Sequence, residues 1–302
     1  HGNIASNVEA SLKSLSCGPE DVFLSILPLS HMFESTGGLL CPLLSGARVH
    51  YLSSLNPRLI AGAMQKEGIT VCLMVPALAR LIHKRIFGEA NSLGGIKRSL
   101  FRTLFSVSKW AFGKGVYVGR FLFPQVRRKL SPHLRYFITG GAALNPRVAR
   151  DLISLGIDVV QGYGLTETSP VTHANHPGRK NRIGTVGPPV SGVEARIDPV
   201  EGGQEGEGEI LVRGPNVMQG YFENPELTAE VIREGWFHTG DIGRLDADGY
   251  LAISGRVKNV IVHESGKNVY PEEVEEELAK SDLFKEACVI GRKTQRGGED
   301  VF

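Results

Sequence analysis

Apolar residues recur along the first 160 positions in two rhythms, short continuous runs and helical spacings, and the two alternate. Ile4, Val8, Leu12 and Leu15 are spaced for one face of a helix over residues 4–15. Asp21–Leu27 is a nearly unbroken apolar run, the pattern of a strand buried on both faces. Ala47–Leu52 and Ile69–Val75 predict two more strands, with an amphipathic helix around Pro57–Gln65 between them. Pro76 then opens a helix in its first turn, where a missing N–H is harmless. Leu134–Ile138 and Gly156–Val160 complete the set of strands, and Asn145 followed by Pro146 marks another helix start. Strand, helix, strand in alternation predicts an α/β fold over residues 1–186, a layered and mainly parallel sheet with helices.

After Gly187-Pro188-Pro189 the rhythm changes. Short alternating segments at Val193–Ile197, Glu209–Val212 and Gly249–Ile253, separated by Gly, Asp and Asn, predict a β-rich subdomain over residues 187–257. Glu201–Gly208 is rich in glycine but acidic, so it is expected to be a hairpin loop and no phosphate cradle. Asp246-Ala247-Asp248-Gly249 lacks the further ligand spacing and terminal Glu of a calcium loop and is expected to be a tight turn. From Asn259 the pattern returns to strand–helix–strand: Val260–Val262, then Pro271–Ala279, then Ala287–Ile290. Glu272 and Glu273 sit favourably at that helix's positive N-terminus. Residues 258–302 are expected to begin a small α+β domain.

Composition adds bounds. The chain has 302 residues, 41% apolar and 22% charged, ordinary for a globular protein with room for two domains. No apolar run approaches the roughly 20 residues needed to cross a bilayer, and no signal peptide opens the chain. Cys17, Cys41, Cys72 and Cys288 are scattered without a C-x-x-C pair, as expected of reduced thiols in a cytoplasmic protein. The chain starts at His1 and stops at Val301-Phe302 in an apparent strand, so a fragment of a longer protein is expected.

The net charge of +2 conceals an asymmetry: twelve Lys and Arg against the single acid Glu89 between Arg80 and Leu130, leaving 22 basic and 31 acidic residues elsewhere. Within that segment Ile96, Leu100, Leu104 and Ala111 recur at helical spacing. Phe101, Phe105 and Val107 widen the stripe, and Lys97, Arg98, Arg102 and Lys109 lie around it. Two readings stay open, a surface helix packing its apolar face inward and a peripheral contact of residues 80–130 with an anionic membrane's inner face. No recognised nucleic-acid reading motif is present, and no nucleic-acid partner is expected.

The candidate chemistry centres on Gln161-Gly162-Tyr163-Gly164-Leu165-Thr166-Glu167-Thr168-Ser169-Pro170. Glycines on both sides of a tyrosine are expected to let the chain turn sharply at the strand's end while one aromatic face is held out. A hydroxyl and a carboxylate follow at once. The layout suits a purine nucleotide, its ring on Tyr163, its phosphates reached by Thr166, and a magnesium ion held by Glu167. A bare G-Y-G is a common strand-to-loop turn; the ten-residue string is far more specific. It resembles the adenine- and magnesium-binding motif of the acyl-adenylate-forming enzymes, the family of acyl-CoA synthetases, adenylation domains and firefly luciferase. Further strings match in the same order: Pro28-Leu29-Ser30-His31-Met32-Phe33-Glu34, Gly140-Gly141-Ala142-Ala143-Leu144, Trp236-Phe237-His238-Thr239-Gly240-Asp241 and Ser254-Gly255-Arg256-Val257-Lys258. The long basic insertion before Gly140 resembles the long-chain fatty acyl-CoA synthetases in particular.

The resemblance implies roles. Thr166, Glu167 and His31 would be catalytic, with Glu167 the magnesium ligand and His31 bordering the acyl carboxylate. Gly141, Ala142, Ala143, Gln161, Gly162, Tyr163, Gly164 and Thr166 would bind the nucleotide; Asp241 would accept hydrogen bonds from both ribose hydroxyls, and Arg256 would bridge ribose and phosphate. Lys258 would be the hinge of a C-terminal lid, and Gly266 would line the coenzyme A route. The implied substrates and cofactors are ATP, Mg2+, coenzyme A and a medium- to long-chain fatty acid. The family's Ser/Thr/Gly-rich phosphate loop and its adenylation lysine have no match in this sequence, so the fragment alone is expected to be inactive. The alternatives are an acyl-AMP ligase that loads a carrier protein, and a non-catalytic nucleotide- or acyl-binding module.

Overall fold

Runs that are apolar on both sides need helices above and below them, and the chain supplies these in turn. A computed structural model describes residues 1–263, 267–278, 281, 284, 287–293 and 299–302. It divides into two compact units, His1–Ser191 and Gly192–Phe302.

The first unit opens with α1 (Gly2–Leu15), which ends at Ser16 in the left-handed conformation. β1 (Val22–Ser25) leads through α2 (Met32–Glu34), a π-helical turn at Ser35–Leu40 and α3 (Cys41–Ser45) to β2 (Arg48–Tyr51). α4 (Pro57–Lys66) follows, capped by the Asn56 side chain, which accepts from the Arg58 N–H, and then β3 (Val71–Met74). Four helices, α5 (Pro76–Asn91), α6 (Gly95–Gly113), α7 (Gly119–Leu122) and α8 (Pro124–Leu130), separate β3 from β4 (Tyr136–Thr139). α9 (Pro146–Ser154), β5 (Asp158–Gly164) and β6 (Val171–Ala174) complete the unit.

The strand order is β2-β1-β3-β4-β5-β6, parallel from β2 through β5 and antiparallel at β5–β6. This is the layered, mainly parallel α/β sheet that the alternation predicts. Successive side chains divide between two cores, as a pleat requires. Leu24, Cys72, Phe137 and Val159 pack with Ile60, Met64 and Leu152 of the helices on one face. Phe23, Val71, Leu73, Tyr136 and Ile138 form the smaller cluster on the other. Because β1 lies between β2 and β3, the chain reverses its direction of travel across the sheet there. The crevice outside the strands' carboxyl ends at such a point is where open α/β sheets bind ligands.

Two of the helices between β3 and β4 are pinned to α9 by one acid. Asp151 on α9 is buried, 2.9 Å from Lys109 Nζ on α6 and 3.0 Å from His83 Nε2 on α5. Burial opposes its ionisation, but the hydrogen bonds from His83 and Lys109 outweigh that and hold its carboxyl below the usual range. The single apolar stripe expected on α6 is in fact two. Phe101, Leu104 and Phe105 pack into the core with Phe87 and Phe123, whereas Ile96, Leu100 and Val107 are exposed. Among the described residues no helix is long and apolar enough to cross a membrane.

The second unit is mostly antiparallel, as its alternating segments predict. It comprises β7 (Glu194–Pro199), β8 (Glu207–Arg213), α10 (Pro225–Val231), β9 (Ile232–Arg233), β10 (Trp236–Leu245) and β11 (Leu251–Arg256). β12 (Ile261–Val262), β13 (Asn268–Val269), α11 (Pro271–Leu278), β14 (Gly291–Lys293) and β15 (Glu299–Val301) follow. The main sheet runs β11-β10-β8-β7, with β9 on β10. β7 and β8 form the expected hairpin. The Asp246 turn is tight, its Oδ1 accepting from the N–H groups of Asp248 and Tyr250 at 2.9 Å each. The strand expected at Ala287–Ile290 lies later, at Gly291–Lys293. Val289 is buried and its N–H donates to Glu275 Oε1, so the ladder opens only at Ile290, which exchanges backbone hydrogen bonds with Phe302. No disulfide forms: Cys41 and Cys72 are buried, Cys17 is half-buried and Cys288 is exposed. Burial pushes the Cys41 thiol up to about 12 and raises Cys17 and Cys72 as well.

Candidate functional site

Three loops of the first unit leave the carboxyl ends of β1, β4 and β5, and contacts tie them together. After β1, His31 is exposed and stands just before α2, its N–H bonded to the Pro28 carbonyl and its carbonyl accepting from the Ser35 N–H. The π-helical turn that follows is an uncommon feature, frequent where function requires an irregular backbone. Phe33 reaches the loop after β4, where a Cβ on Gly140 would come within 3.2 Å of its ring. Gly141 takes a positive φ of 79°, and Gly141, Ala142 and Ala143 are exposed, presenting bare backbone. Leu144 turns into the core, and Asn145 caps α9 by accepting from the N–H groups of Arg147 and Val148.

The Gln161–Pro170 string is built differently from its expectation. Gly162 and Gly164 do not turn the chain. β5 runs on through Gly164, paired with β4 on one side (Thr139 opposite Gln161) and with β6 on the other (Tyr163 opposite His173). Gly164 is needed for space: a Cβ there would run into the Pro170 carbonyl. The reversal comes afterwards, in a 3-10 turn at Thr166–Thr168, then Ser169 at φ 66° and a cis bond to Pro170. Thr168 is the fastener. Its hydroxyl accepts from the Leu165 N–H at 2.9 Å and lies within hydrogen-bond distance of the Leu165 and Pro170 carbonyls. With Thr168 buried, Thr166 is left exposed and Glu167 half-buried at the rim.

Two distant side chains clamp this turn. Asn7 of α1, fully buried, donates to the Val171 carbonyl at 2.6 Å and accepts from the Val171 N–H at 3.1 Å. Thr36 of the π-helical turn donates to the Ser169 carbonyl at 3.4 Å. Beside Tyr163, with ring centroids 6.1 Å apart, lies His173, wholly buried and bonded through Nδ1 to Thr172. Burial alone brings its pKa down to about 3, so the imidazole is neutral, and its Nε2 has no hydrogen-bond partner among the described residues. Glu34, also fully buried, faces the Ser25 side chain and the Ile26 and Leu27 backbone, and burial outweighs those hydrogen bonds and raises its pKa. Sequence reasoning missed Asn7, Thr36 and His173; polar residues inside an otherwise apolar helix or strand were the available signal.

In the second unit, Asp241 and Arg256 face each other across β10 and β11, Nε to Oδ1 2.8 Å, the carboxylate nearly buried and the guanidinium mostly exposed. A register irregularity between His238 and Ile242 aims the aspartate. Within it Thr239 Oγ1 donates to the Ile210 carbonyl at 2.7 Å and accepts from the Asp241 N–H at 3.1 Å. Gly240, at φ 71°, donates to Glu209. Lys258 is exposed in the 3-10 turn Val257–Asn259 that follows β11. Gly266 lies outside the described residues.

Among the described residues no cluster of three or more His, Cys, Asp or Glu could hold a metal by itself. One carboxylate at an exposed rim does fit magnesium, which keeps several waters and is shared with substrate phosphates. Glu167 meets that requirement. A separate, mostly apolar cavity of about 460 Å³ lies between α4, α5, α6 and α8, and none of these site residues line it.

Residues 1–222 match a family model described as AMP-binding enzyme. The chain is 33% identical over 90% of its length to long chain acyl-CoA synthetase 1 of Arabidopsis thaliana, covering 43% of that protein. It is 31% identical over 99% of its length to a feruloyl-CoA synthase of Amycolatopsis, covering 54%. All of the chain superposes on 53% of the ATP-bound MatB crystal structure from Rhodopseudomonas palustris, with a TM-score of 0.77 and 29% identity. It thus spans about half the length of the relatives it matches.

Proposed function

Since this chain belongs to the AMP-binding enzyme family, we propose that it is part of an ATP-dependent ligase that activates a medium- to long-chain fatty acid and passes it to coenzyme A. The observation that carries the reading is the turn at Thr166–Thr168, locked by Thr168, Asn7 and Thr36 so that Thr166 and Glu167 stand at the rim. A rigid turn bearing one hydroxyl and one carboxylate suits a reaction whose catalysis is positioning and charge stabilisation.

In the first half-reaction a fatty acid carboxylate attacks the α-phosphorus of ATP; a P–O bond forms and pyrophosphate leaves. In the second, the coenzyme A thiol gives up its proton and attacks the acyl carbonyl; a C–S bond forms and AMP leaves. In the first unit, Tyr163 and Gly141–Ala143 frame adenine, Thr166 reaches phosphate oxygens, Glu167 holds magnesium, and His31 borders the acyl carboxylate. Magnesium, when bound, neutralises phosphate charge there. In the second unit, Asp241 holds the ribose hydroxyls and Arg256 supplies charge beside them. The names of relatives such as the Arabidopsis synthetase support a fatty acid substrate.

The test, on the full-length protein to which this chain belongs, is an assay of pyrophosphate release and of thioester formation, with ATP, palmitate or ferulate, and coenzyme A. Palmitate-dependent release of pyrophosphate, followed by acyl-CoA, is expected. Glu167→Gln should slow the first step about a hundredfold, roughly 3 kcal/mol of transition-state stabilisation. Acyl-AMP that never reaches coenzyme A would favour transfer to a carrier protein, and a preference for ferulate would overturn the fatty acid.

A further inference from the structure

The four helices between β3 and β4 carry a surface that the acyl-transfer reading does not use. On α6, Ile96, Leu100, Val107 and Trp110 are 88%, 58%, 49% and 68% exposed. Their spacings of four, seven and three residues place them within about 80° of one another around the helix. The inward face, with Phe101, Leu104, Phe105 and Ala111, occupies a different arc and is already committed to the core. The outer stripe is therefore not an apolar face still seeking the interior. Four large apolar side chains in a row on a 19-residue helix, one a tryptophan, mark an interaction surface.

Charge identifies the partner. α6 contains Lys97, Arg98, Arg102 and Lys109 and no acid. The single acid of the whole segment, Glu89, is already engaged by Arg85 and Lys129 at 3.3 and 3.1 Å. Lys109 is spent on Asp151; helix geometry puts Lys97 and Arg102 on the two sides of the apolar stripe and Arg98 behind it, and the segment as a whole keeps a large excess of cations. A second copy of this chain would bring the same positive charge to the contact. An anionic bilayer offers what both features need, an apolar layer for the stripe and phosphates for the flanking cations. Trp110 is the residue type enriched at the headgroup level.

We propose that α6 is a membrane-docking helix, its Ile96–Leu100–Val107–Trp110 stripe entering the headgroup region of an anionic bilayer while the surrounding Lys and Arg hold the phosphates. The contact is peripheral. It stands apart from the proposed ligase activity, because no catalytic residue takes part in it.

The experiment is co-sedimentation of the 302-residue chain with phosphatidylcholine vesicles, with and without about 30% phosphatidylserine, at low and high salt and with no ATP or acyl substrate present. Binding should be at least about tenfold tighter to the anionic vesicles. It should fall several-fold near 1 M salt, where the screening length shrinks to roughly 3 Å. Trp110 fluorescence should shift to the blue on binding, a shift that Trp110→Phe removes while Trp236 still reports. Ile96→Ser with Leu100→Ser, both at exposed positions, should abolish the apolar contribution. Lys97→Glu with Arg102→Glu should abolish the preference for anionic lipid, with unfolding midpoints unchanged in both pairs. Equal binding to neutral vesicles, no loss in the serine pair, or self-association through the stripe that excludes vesicles would each overturn the proposal.

Discussion

Beside Tyr163, burial keeps His173 neutral down to about pH 3, while burial moves Glu34 the other way, above the ordinary carboxylate value. The two groups therefore tilt stability in opposite senses. Between about pH 6.5 and 3 the unfolded chain binds a proton at His173 that the folded chain refuses, so stability falls as pH falls, by at most about 1.4 kcal/mol per unit. Above its ordinary value of 4.5, Glu34 retains in the fold a proton that the unfolded chain gives up, so its contribution declines as pH rises. Urea unfolding from pH 4 to 8 separates them. His173→Phe should flatten the acid side, and Glu34→Gln should gain on the parent protein as pH rises above 4.5. A His173→Phe midpoint that still tracks the parent protein below pH 6.5 would assign the acid loss elsewhere. Tyr163, Glu167 and Asp241 were singled out in the sequence because each sits in a long, specific string. Asn7 and His173 were not, since what buries them is a strand folding back and a helix 164 residues away.

β5 shows what a local reading leaves out at the scale of an element. Two glycines around a tyrosine promise a turn, yet cross-strand pairing with β6 keeps the backbone extended and makes Gly164 a matter of clearance. Gly164 and Gly162 should then differ sharply. Gly164→Ala forces a methyl against the Pro170 carbonyl backbone and should cost roughly 3 kcal/mol or more, or prevent folding. Gly162→Ala meets only the His173 carbonyl, at 3.4 Å, and should change stability by no more than about 1 kcal/mol. Denaturant unfolding of the pair checks this, and similar penalties would mean that β6 does not cross there. β1, β3 and β4 were legible because both of their faces are buried, which leaves an apolar run; β2, at the sheet's edge and without a buried residue, carries a mixed sequence. α6 was harder: with inner and outer apolar faces merging in one sequence window, periodicity alone saw a single wide stripe.

Across the whole molecule, the change from unbroken apolar runs to alternation after residue 187 follows a physical change, from a sheet covered on both sides to a largely antiparallel one. The proposed division into two half-reactions belongs to this scale. With Lys258 as the proposed pivot, Lys258→Pro fixes one backbone angle that a swing must change. Acyl-AMP formation should survive better than thioester formation, as single-turnover measurement of each step would show; equal slowing would place the pivot elsewhere. The distribution of thiols offers a different use. Cys41 and Cys72 are sealed in the first unit, Cys17 is half-buried and shares a hydrogen bond with Tyr136, and Cys288 of the second unit is the exposed one. A maleimide dye should thus couple once, quickly, at Cys288, and again only as the first unit opens. The stoichiometry of labelling becomes a clock for that opening, read on the natural chain without altering a residue.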